Sequence, residues 1–193
     1  MMTIDKLVDH TGILLTQNAI QANIPKHVLY SFIRDNQFER VAFGVYAAPE
    51  TWEDECYILS LRCPQGVLSH DEALYYYGLI DREPMQHTIT IYTGYGTSRL
   101  IADGIQVFTV KKELLGIGKE YVETLYGHKV PMYDRERTIC DLIRSRSHFE
   151  IQDFRTALRS YVASPAKDLN RLMKYAKAFH VDKKLREYME VLL

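Results

Sequence analysis

The chain has 193 residues, of which 47% are hydrophobic and 25% charged, a globular composition that excludes wholesale disorder. Because 24 Lys and Arg balance 25 Asp and Glu, the net charge of −1 excludes a uniformly basic coat but permits a local basic face. Three cysteines without a C-x-x-C pair argue against a disulfide frame or zinc site, and we expect neither metal nor cofactor. The longest apolar stretches are too short for a membrane span and no signal peptide is visible, so we expect a cytoplasmic protein.

The first 50 residues predict three short helices followed by a β-hairpin. Ile4, Leu7 and Val8 have helical spacing, Thr16 can cap a second helix, and Pro25 suits the first turn of a third helix. Short strands over 38–41 and 45–48 follow, with Gly44 available for the tight turn between them. This order is typical of a winged helix-turn-helix domain, which we assign to residues 1–50.

The third predicted helix is amphipathic, with an apolar stripe formed by Val28, Leu29, Phe32 and Ile33. In a winged helix-turn-helix domain the opposite face enters the major groove, and the hairpin contacts a phosphate. The predicted DNA-binding residues are Lys26, His27, Tyr30, Ser31, Arg34 and Arg40. The alternative interpretation is a solvated helix face with a surface histidine, and the small number of cations predicts a shallow salt dependence of binding.

Residues 51–193 predict an α+β domain with a small mixed sheet, flanking helices and a helical C-terminus. Helices are predicted over 52–62, 69–78, 134–146 and three stretches beyond residue 150, and strands over 87–92, 104–110, 121–125 and 129–133. Ser69 and Glu72 have the spacing of a capping box, and Asp134, Asp168 and Asp182 that of helix N-caps.

The last third of the chain is the clearly basic segment, with nine Lys and Arg against five Asp and Glu in residues 151–193. On the predicted helices these cations lie opposite the apolar stripe, where they form either a solubilising surface or a contact for nucleic acid or an acidic partner. The predicted basic face consists of Arg144, Arg146, Arg155, Arg159, Arg171, Lys174, Lys177, Lys183, Lys184 and Arg186.

Four segments resemble the AbiEi family, the antitoxins of type IV abortive-infection toxin–antitoxin systems. They cover 38–46, 68–79, 84–91 and 130–142, and the last has the unusual pattern V-P-x-Y-D-x-E-R-T-x-x-D-L. The resemblance extends in order over nearly the entire chain. The sequence departs from the family at 93–96, where members often carry Pro-Arg, and at the start of the recognition helix, which here reads Pro25-Lys26-His27.

The resemblance implies a transcriptional autorepressor that binds inverted repeats in its own promoter and counteracts a nucleotidyltransferase toxin, with or without a stable complex. The C-terminal domain is then the antitoxin and co-repression domain. We expect the polar residues of the matched motifs to be structural, as caps and as an i, i+4 Arg–Asp pair that fastens a helix to the sheet. These residues are Ser69, His70, Glu72, Asp134, Glu136, Arg137 and Asp141.

Two alternatives remain open. In a metal-dependent nuclease, Asp134 and Glu136 would hold Mg²⁺, but positions two apart on one helix point in different directions, so we expect no enzyme. In a ligand-responsive winged-helix repressor, the tyrosines at 75–77 would line a pocket, although amphipathic positions at the edge of the core suit them better.

Overall fold

The computed structural model describes residues 4–192, which form two compact units. The first unit ends at Pro64 and also includes Glu123–Lys129, and the second comprises Gln65–Val122 and the chain from Val130 onward. Within the described residues, no helix is both long and apolar enough to cross a bilayer. No disulfide joins the three cysteines.

The described part of the first unit, from residue 4 onward, contains three helices and a small antiparallel sheet with strand order β1-β3-β2. A 3₁₀ turn at Ile4–Leu7 stands where the first helix was predicted. The elements that follow are β1 (Ile13–Leu15), α1 (Thr16–Gln21), α2 (Lys26–Asp35), β2 (Glu39–Ala42), β3 (Val45–Ala47) and α3 (Glu55–Arg62).

The two faces of this sheet are covered by different helices, because side chains alternate along each strand. Leu14 packs on one face with Ala19 of α1 and with Leu29 and Ile33 of α2. On the other face, Ile13, Val45 and Ala47 form a cluster that includes Tyr57 and Leu61 of α3. Since α3 packs on this sheet, the first compact unit extends past residue 50, where the sequence placed the domain boundary.

The second unit contains a five-stranded mixed sheet and six helices among its described residues, which confirms the α+β class. The strand order is β6-β5-β4-β8-β7, with β4–β8 and β5–β6 parallel and β4–β5 antiparallel. The strands are β4 (Val67–Leu68), β5 (Thr88–Tyr92), β6 (Gln106–Val110), β7 (Lys119–Glu123) and β8 (Lys129–Tyr133). The helices are α4 (Asp71–Tyr76), α5 (Ser98–Ala102), α6 (Arg135–Arg144), α7 (Ile151–Ala163), α8 (Leu169–Ala178) and α9 (Asp182–Leu192).

The core of the second unit centres on α6, on which α7, α8 and α9 all pack. Three of its side chains, Ile139, Cys140 and Leu142, are fully buried in one cluster with Tyr161 of α7 and Leu172 of α8. Deletion of one such aliphatic side chain costs about 2–5 kcal/mol in a well-packed core. The helical C-terminus is therefore part of the core.

The predicted helix caps have mixed outcomes. The side chains of Asp134 and Asp168 cap α6 and α8, where they accept hydrogen bonds from the backbone N–H groups of Arg137 (2.8 Å) and Arg171 (2.9 Å). Asp182 is the first residue of α9, inside the helix and not before it. The predicted capping box is wrong, because α4 has His70 as its N-cap residue and no side chain caps it.

Candidate nucleic-acid interface

The third predicted helix is present as α2 and buries one face. Pro25 precedes it with extended backbone, and its carbonyl accepts from the N–H groups of Val28 and Leu29 in the first turn. Leu29 and Ile33 are buried and Phe32 is half-buried. Val28, which the sequence assigned to this apolar stripe, is 41% exposed, so the buried face is narrower than predicted.

The opposite face of α2 is exposed to solvent. Lys26, His27, Tyr30 and Arg34 are all exposed, whereas Ser31 is half-buried. The Arg34 Nε lies 3.2 Å from Asp35 Oδ1, in an ion pair between two highly exposed side chains. Such surface pairs are weak, so this pairing leaves the guanidinium available to another acceptor.

The hairpin formed by β2 and β3 has a two-residue tip. Ala42 is opposite Val45, which leaves Phe43 and Gly44 as the turn, and Gly44 has a φ of +75° that favours glycine. The predicted contact residue Arg40 is exposed, and its guanidinium lies 5.4 Å from the centre of the Phe43 ring. Phe43 itself is 72% exposed. Phe43 is absent from the predicted contact residues, although an aromatic residue directly before the turn glycine is a visible signal in the sequence.

The first unit is acidic overall. It contains six Lys and Arg against nine Asp and Glu, a formal net charge of −3. Only Lys26, Arg34 and Arg40 contribute cations to the predicted DNA-binding residues. Electrostatic attraction to phosphates through this face is therefore small, since each neutralised phosphate requires a cation.

The motif residue His70 is buried in the second unit. Its ring stacks on Phe108 at 3.4 Å between centroids, with Nδ1 2.9 Å from Ser69 Oγ and Nε2 3.0 Å from Ser145 Oγ. Burial lowers the pKa of His70 well below its usual range. Glu72, in the same motif, lies 2.5 Å from His87 through its Oε1. Both side chains are thus held by contacts within the second unit.

Arg137 is fully buried and holds α6 against the rest of the second unit. Its Nε donates to Asp141 Oδ2 at 2.9 Å, which is the predicted i, i+4 pair, and Nη1 donates to the carbonyls of Leu114 and Ile117. The guanidinium lies between the rings of Tyr133 and Phe179, about 4 Å from each (4.0 and 3.9 Å). Arg137 thus bridges one helix, one strand and one loop.

The carboxylates of Asp134 and Glu136 converge, contrary to the expectation that they diverge. Asp134 is the N-cap residue and not part of the helix, so helical spacing does not apply to the pair. Both carboxylates lie within 4 Å of Arg171 Nη1, at 3.9 and 3.8 Å. Burial raises the pKa of Asp134 to about 6, and the Glu136 charge acts in the same direction. Tyr175 donates to Asp134 and Tyr161 to Glu136.

The predicted basic face separates into two groups. Three members are held by contacts within the second unit: Arg144 pairs with Asp141, Arg146 donates to the Phe149 carbonyl, and Arg171 lies beside the converging carboxylates. The other seven are exposed on three helices that share α6 as their packing partner. These exposed cations are Arg155, Arg159, Lys174, Lys177, Lys183, Lys184 and Arg186.

No protein-family model and no curated protein matches the chain. Among solved structures, the chain is similar to the RV2827C protein from Mycobacterium tuberculosis, with 15% sequence identity and a TM-score of 0.59. The similarity covers 90% of this chain and 69% of the other. At this identity, the comparison shows a shared fold alone.

Proposed function

We propose that this protein is a DNA-binding autorepressor whose first unit is a winged helix-turn-helix domain and acts without enzymatic activity. The observation that carries the proposal is the exposed polar face of α2, beside an exposed hairpin in the same compact unit. The order of 3₁₀ turn, β1, α1, α2 and hairpin supports this interpretation. In such a domain, α2 lies in the major groove and the hairpin lies along the adjacent backbone or minor groove.

In this proposal, the side chains of α2 read bases in the promoter of the protein's own operon. Arg34 presents a guanidinium that suits the two acceptors of guanine, and Tyr30 presents a hydroxyl and a ring to base edges or the thymine methyl group. Lys26 lies at the start of α2, where its ammonium suits a phosphate contact. Inverted repeats in the promoter would then be bound by two copies of the chain.

Fluorescence anisotropy with the protein's own promoter tests the DNA-binding proposal. We expect Arg34→Ala and Tyr30→Ala each to weaken specific binding by about 5- to 150-fold, the equivalent of about 1–3 kcal/mol for a base contact. Lys6→Ala is the matched control, because it removes one exposed cation from the same unit but lies outside α2 and the hairpin. If both α2 variants bind like the wild type, the recognition-helix assignment is wrong.

The antitoxin part of the proposal rests on the resemblance of the motif segments to the AbiEi family. We expect the protein to act in the cytoplasm, where promoter DNA and a nucleotidyltransferase toxin are both accessible. Co-expression with a nucleotidyltransferase encoded by the neighbouring reading frame provides the test. Restored growth supports antitoxin activity, whereas growth arrest at matched expression of both proteins contradicts it.

A metal-dependent nuclease is a second candidate, because the carboxylates of Asp134 and Glu136 converge. Both groups already have partners, however: Arg171 lies beside both, and the Glu136 Oε1 accepts from the Asp168 backbone N–H at 2.9 Å. We therefore expect no Mg²⁺ binding by isothermal titration and no cleavage of promoter DNA. Mg²⁺ binding that disappears in Glu136→Ala would instead favour the nuclease.

A ligand-responsive repressor requires a binding pocket. Of the three tyrosines predicted as lining residues, Tyr75 and Tyr76 are 42% and 44% exposed on the surface of α4, and Tyr77 is half-buried against the core of the second unit. A hollow of about 420 Å³ lies instead in the first unit, lined by residues that include Lys6, Asn18 and Gln21. A thermal-shift screen against cell metabolites tests this alternative, and a flat response rejects it.

A further inference from the structure

The tip of the β2–β3 hairpin presents an aromatic ring to solvent. Phe43 is 72% exposed, although burial of a phenylalanine side chain ordinarily stabilises a fold. Its position between Ala42 and Gly44 places it at the outermost point of the hairpin. An exposed aromatic ring at the tip of a hairpin is suited to insert into a partner.

The hairpin tip is fixed and not free to fold over. The Gly44 carbonyl accepts from the backbone N–H of Thr16 at 2.9 Å and from its hydroxyl at 3.3 Å. A Cβ atom at Gly44 would lie only 2.8 Å from the Thr16 hydroxyl, so the approach depends on glycine. The tip is thereby tied to the start of α1, and Phe43 projects from a rigid base.

The cationic side chain of Arg40 lies beside the Phe43 ring. The Arg40 guanidinium lies 5.4 Å from the Phe43 ring centre, and its Nε donates to the Ala42 carbonyl at 3.4 Å. Arginine is drawn to the negative potential of a narrow minor groove, and apolar side chains of this size can enter between neighbouring base pairs there. Arg40 and Phe43 together have the chemistry of a minor-groove wedge.

The charge of the first unit gives it little electrostatic attraction to DNA. With a net charge of −3 and three cations on its predicted DNA-binding face, this unit gains little from counterion release. An inserted ring adds stacking energy that does not depend on salt. The exposed Phe43 ring therefore adds a salt-independent contribution to DNA binding that the charges of this unit do not provide.

We propose that Phe43 inserts between base pairs from the minor groove and kinks the DNA, with Arg40 held in the groove beside it. This inference rests on the proposed DNA-binding function. It makes Phe43 a specificity-determining residue without a hydrogen bond to any base, because pyrimidine–purine steps such as TA and CA/TG unstack most easily. The bound promoter should therefore carry such a step at the hairpin position and bend by about 20–90°.

The bend angle is the measurement that tests the wedge. We expect fluorescence resonance energy transfer between the two ends of a promoter duplex to report bending at saturating wild-type protein, and no bending with Phe43→Ala. Phe43→Leu should retain the bend, since leucine is also an effective wedge. Affinity should fall by at most about tenfold in Phe43→Ala, because the cost of unstacking disappears together with the stacking contact.

Two controls test whether the bend comes from the Phe43 ring itself. Trp52→Ala removes another exposed aromatic of the same unit, 80% exposed and outside the hairpin, and should leave both bend and affinity unchanged. The slope of affinity against salt should be the same in Phe43→Ala as in the wild type, because no cation is removed. A bend that persists in Phe43→Ala overturns the wedge but leaves DNA binding intact. A wild-type protein that does not bind its promoter overturns the DNA-binding function, and the wedge with it.

Discussion

Arg137 is a buried cation that the second unit accommodates with two kinds of partner. Polar partners satisfy Nε and Nη1, while the rings of Tyr133 and Phe179 cover the two faces of the guanidinium. Nη2 is buried with no hydrogen-bond partner among the described residues, so the desolvation of this nitrogen lowers the stability of the fold. Lysine has neither the planar shape nor the number of donors for this position.

Removal of Arg137 should be far more damaging than removal of its neighbour Arg144. Both arginines pair with Asp141, but Arg137 is fully buried and the Arg144 side chain is 26% exposed. We expect Arg137→Ala to lower the free energy of unfolding by about 3–5 kcal/mol, because it breaks a fully buried ion pair and also leaves the carbonyls of Leu114 and Ile117 without their donor. Arg144→Ala should cost about 1 kcal/mol. Urea unfolding of both variants gives the comparison, and equal losses would refute the bridging role of Arg137.

Burial keeps His70 in its neutral form by lowering its pKa, and hydroxyl groups lie beside both of its ring nitrogens. Thr90 donates to the Ser69 hydroxyl at 2.8 Å, which directs the Ser69 proton toward Nδ1 of the histidine. In the tautomer that this arrangement favours, the neutral ring carries its proton on Nε2, which lies 3.0 Å from Ser145 Oγ.

The buried histidine predicts a loss of stability in mild acid. In the unfolded chain His70 binds a proton below about pH 6.5, whereas in the folded chain its lowered pKa keeps it neutral. The contribution of His70 to the free energy of unfolding is therefore fully present above pH 6.5. It decreases as the pH drops below 6.5, by up to about 1.4 kcal/mol per pH unit. Asp134 acts in the opposite direction, because its pKa is raised to about 6 and its protonation favours the folded state.

Chemical denaturation at pH 7.5 and pH 5.5 measures these two contributions. We expect His70→Asn to lose less stability than the wild type between the two pH values, since its position 70 no longer titrates. Asp134→Asn should lose more, because the opposing carboxyl is gone while an asparagine cap remains at the start of α6. Identical pH dependence in all three proteins would mean that neither group is buried as described.

At the level of elements, the turn before β7 depends on a glycine that packs directly on α6. Gly118 has a φ of +74°, and a Cβ atom there would lie 2.5 Å from the Cβ of Arg137. Gly104, before β6, has a similar φ of +81° but open space around it. We expect Gly104→Ala to cost about 1–2 kcal/mol from backbone strain alone. Gly118→Ala should cost about 1–3 kcal/mol more, because the backbone must also move away from α6.

Thermal or urea unfolding of the two glycine variants separates strain from contact. A larger loss for Gly118→Ala confirms that β7 and α6 approach closely through this turn. Equal losses would mean that the turn relaxes without disturbing Arg137. Both glycines lie in the second unit, so both variants report on the stability of the same compact unit.

Elements that depend on local contacts could be predicted from the sequence, and those that depend on distant partners could not. Asp134 and Asp168 were predicted as caps because a cap bonds within its own first turn. The S-x-x-E pattern at Ser69 failed, because Ser69 bonds to Thr90 on β5 and Glu72 to His87, both far along the chain. Strand β1 was not predicted, because a segment of three residues is too short to show the alternating hydrophobic pattern of a strand.

In the candidate site, too, the features set by local spacing were predictable from the sequence and those set by distant contacts were not. The exposed face of α2 follows from helical periodicity, and the exposure of Tyr30 and Arg34 agrees with it. The convergence of Asp134 and Glu136 was not predictable by counting helical positions, because Asp134 lies outside the helix that contains Glu136. Arg171, which lies beside both carboxylates, was predicted as part of a basic surface, and its carboxylate partners come from the start of α6.

At the scale of the whole molecule, charge is divided unevenly between the two units. The first unit has a formal net charge of −3 and the second has 18 Lys and Arg against 16 Asp and Glu, a net charge of +2. If the second unit assists repression, its exposed cations are the main source of attraction to phosphates, and the first unit contributes mainly base contacts. Affinity and salt dependence should then respond to different sets of residues.

The salt dependence of promoter binding provides the test of this division. We expect the triple variant Arg155→Gln, Arg159→Gln and Lys177→Gln to reduce the slope of log affinity against log salt by about 0.9 for each phosphate that is no longer neutralised, at most about 2.7. The matched control replaces Lys111, Lys112 and Lys119, three exposed cations of the same unit outside the basic face, with glutamine. It changes the net charge by the same amount, so a lower slope in the first triple variant alone assigns the phosphate contacts to the basic face. Equal slopes in the wild type and the first triple variant would show that this face does not contact DNA and leave a solubilising or partner-binding role for its cations.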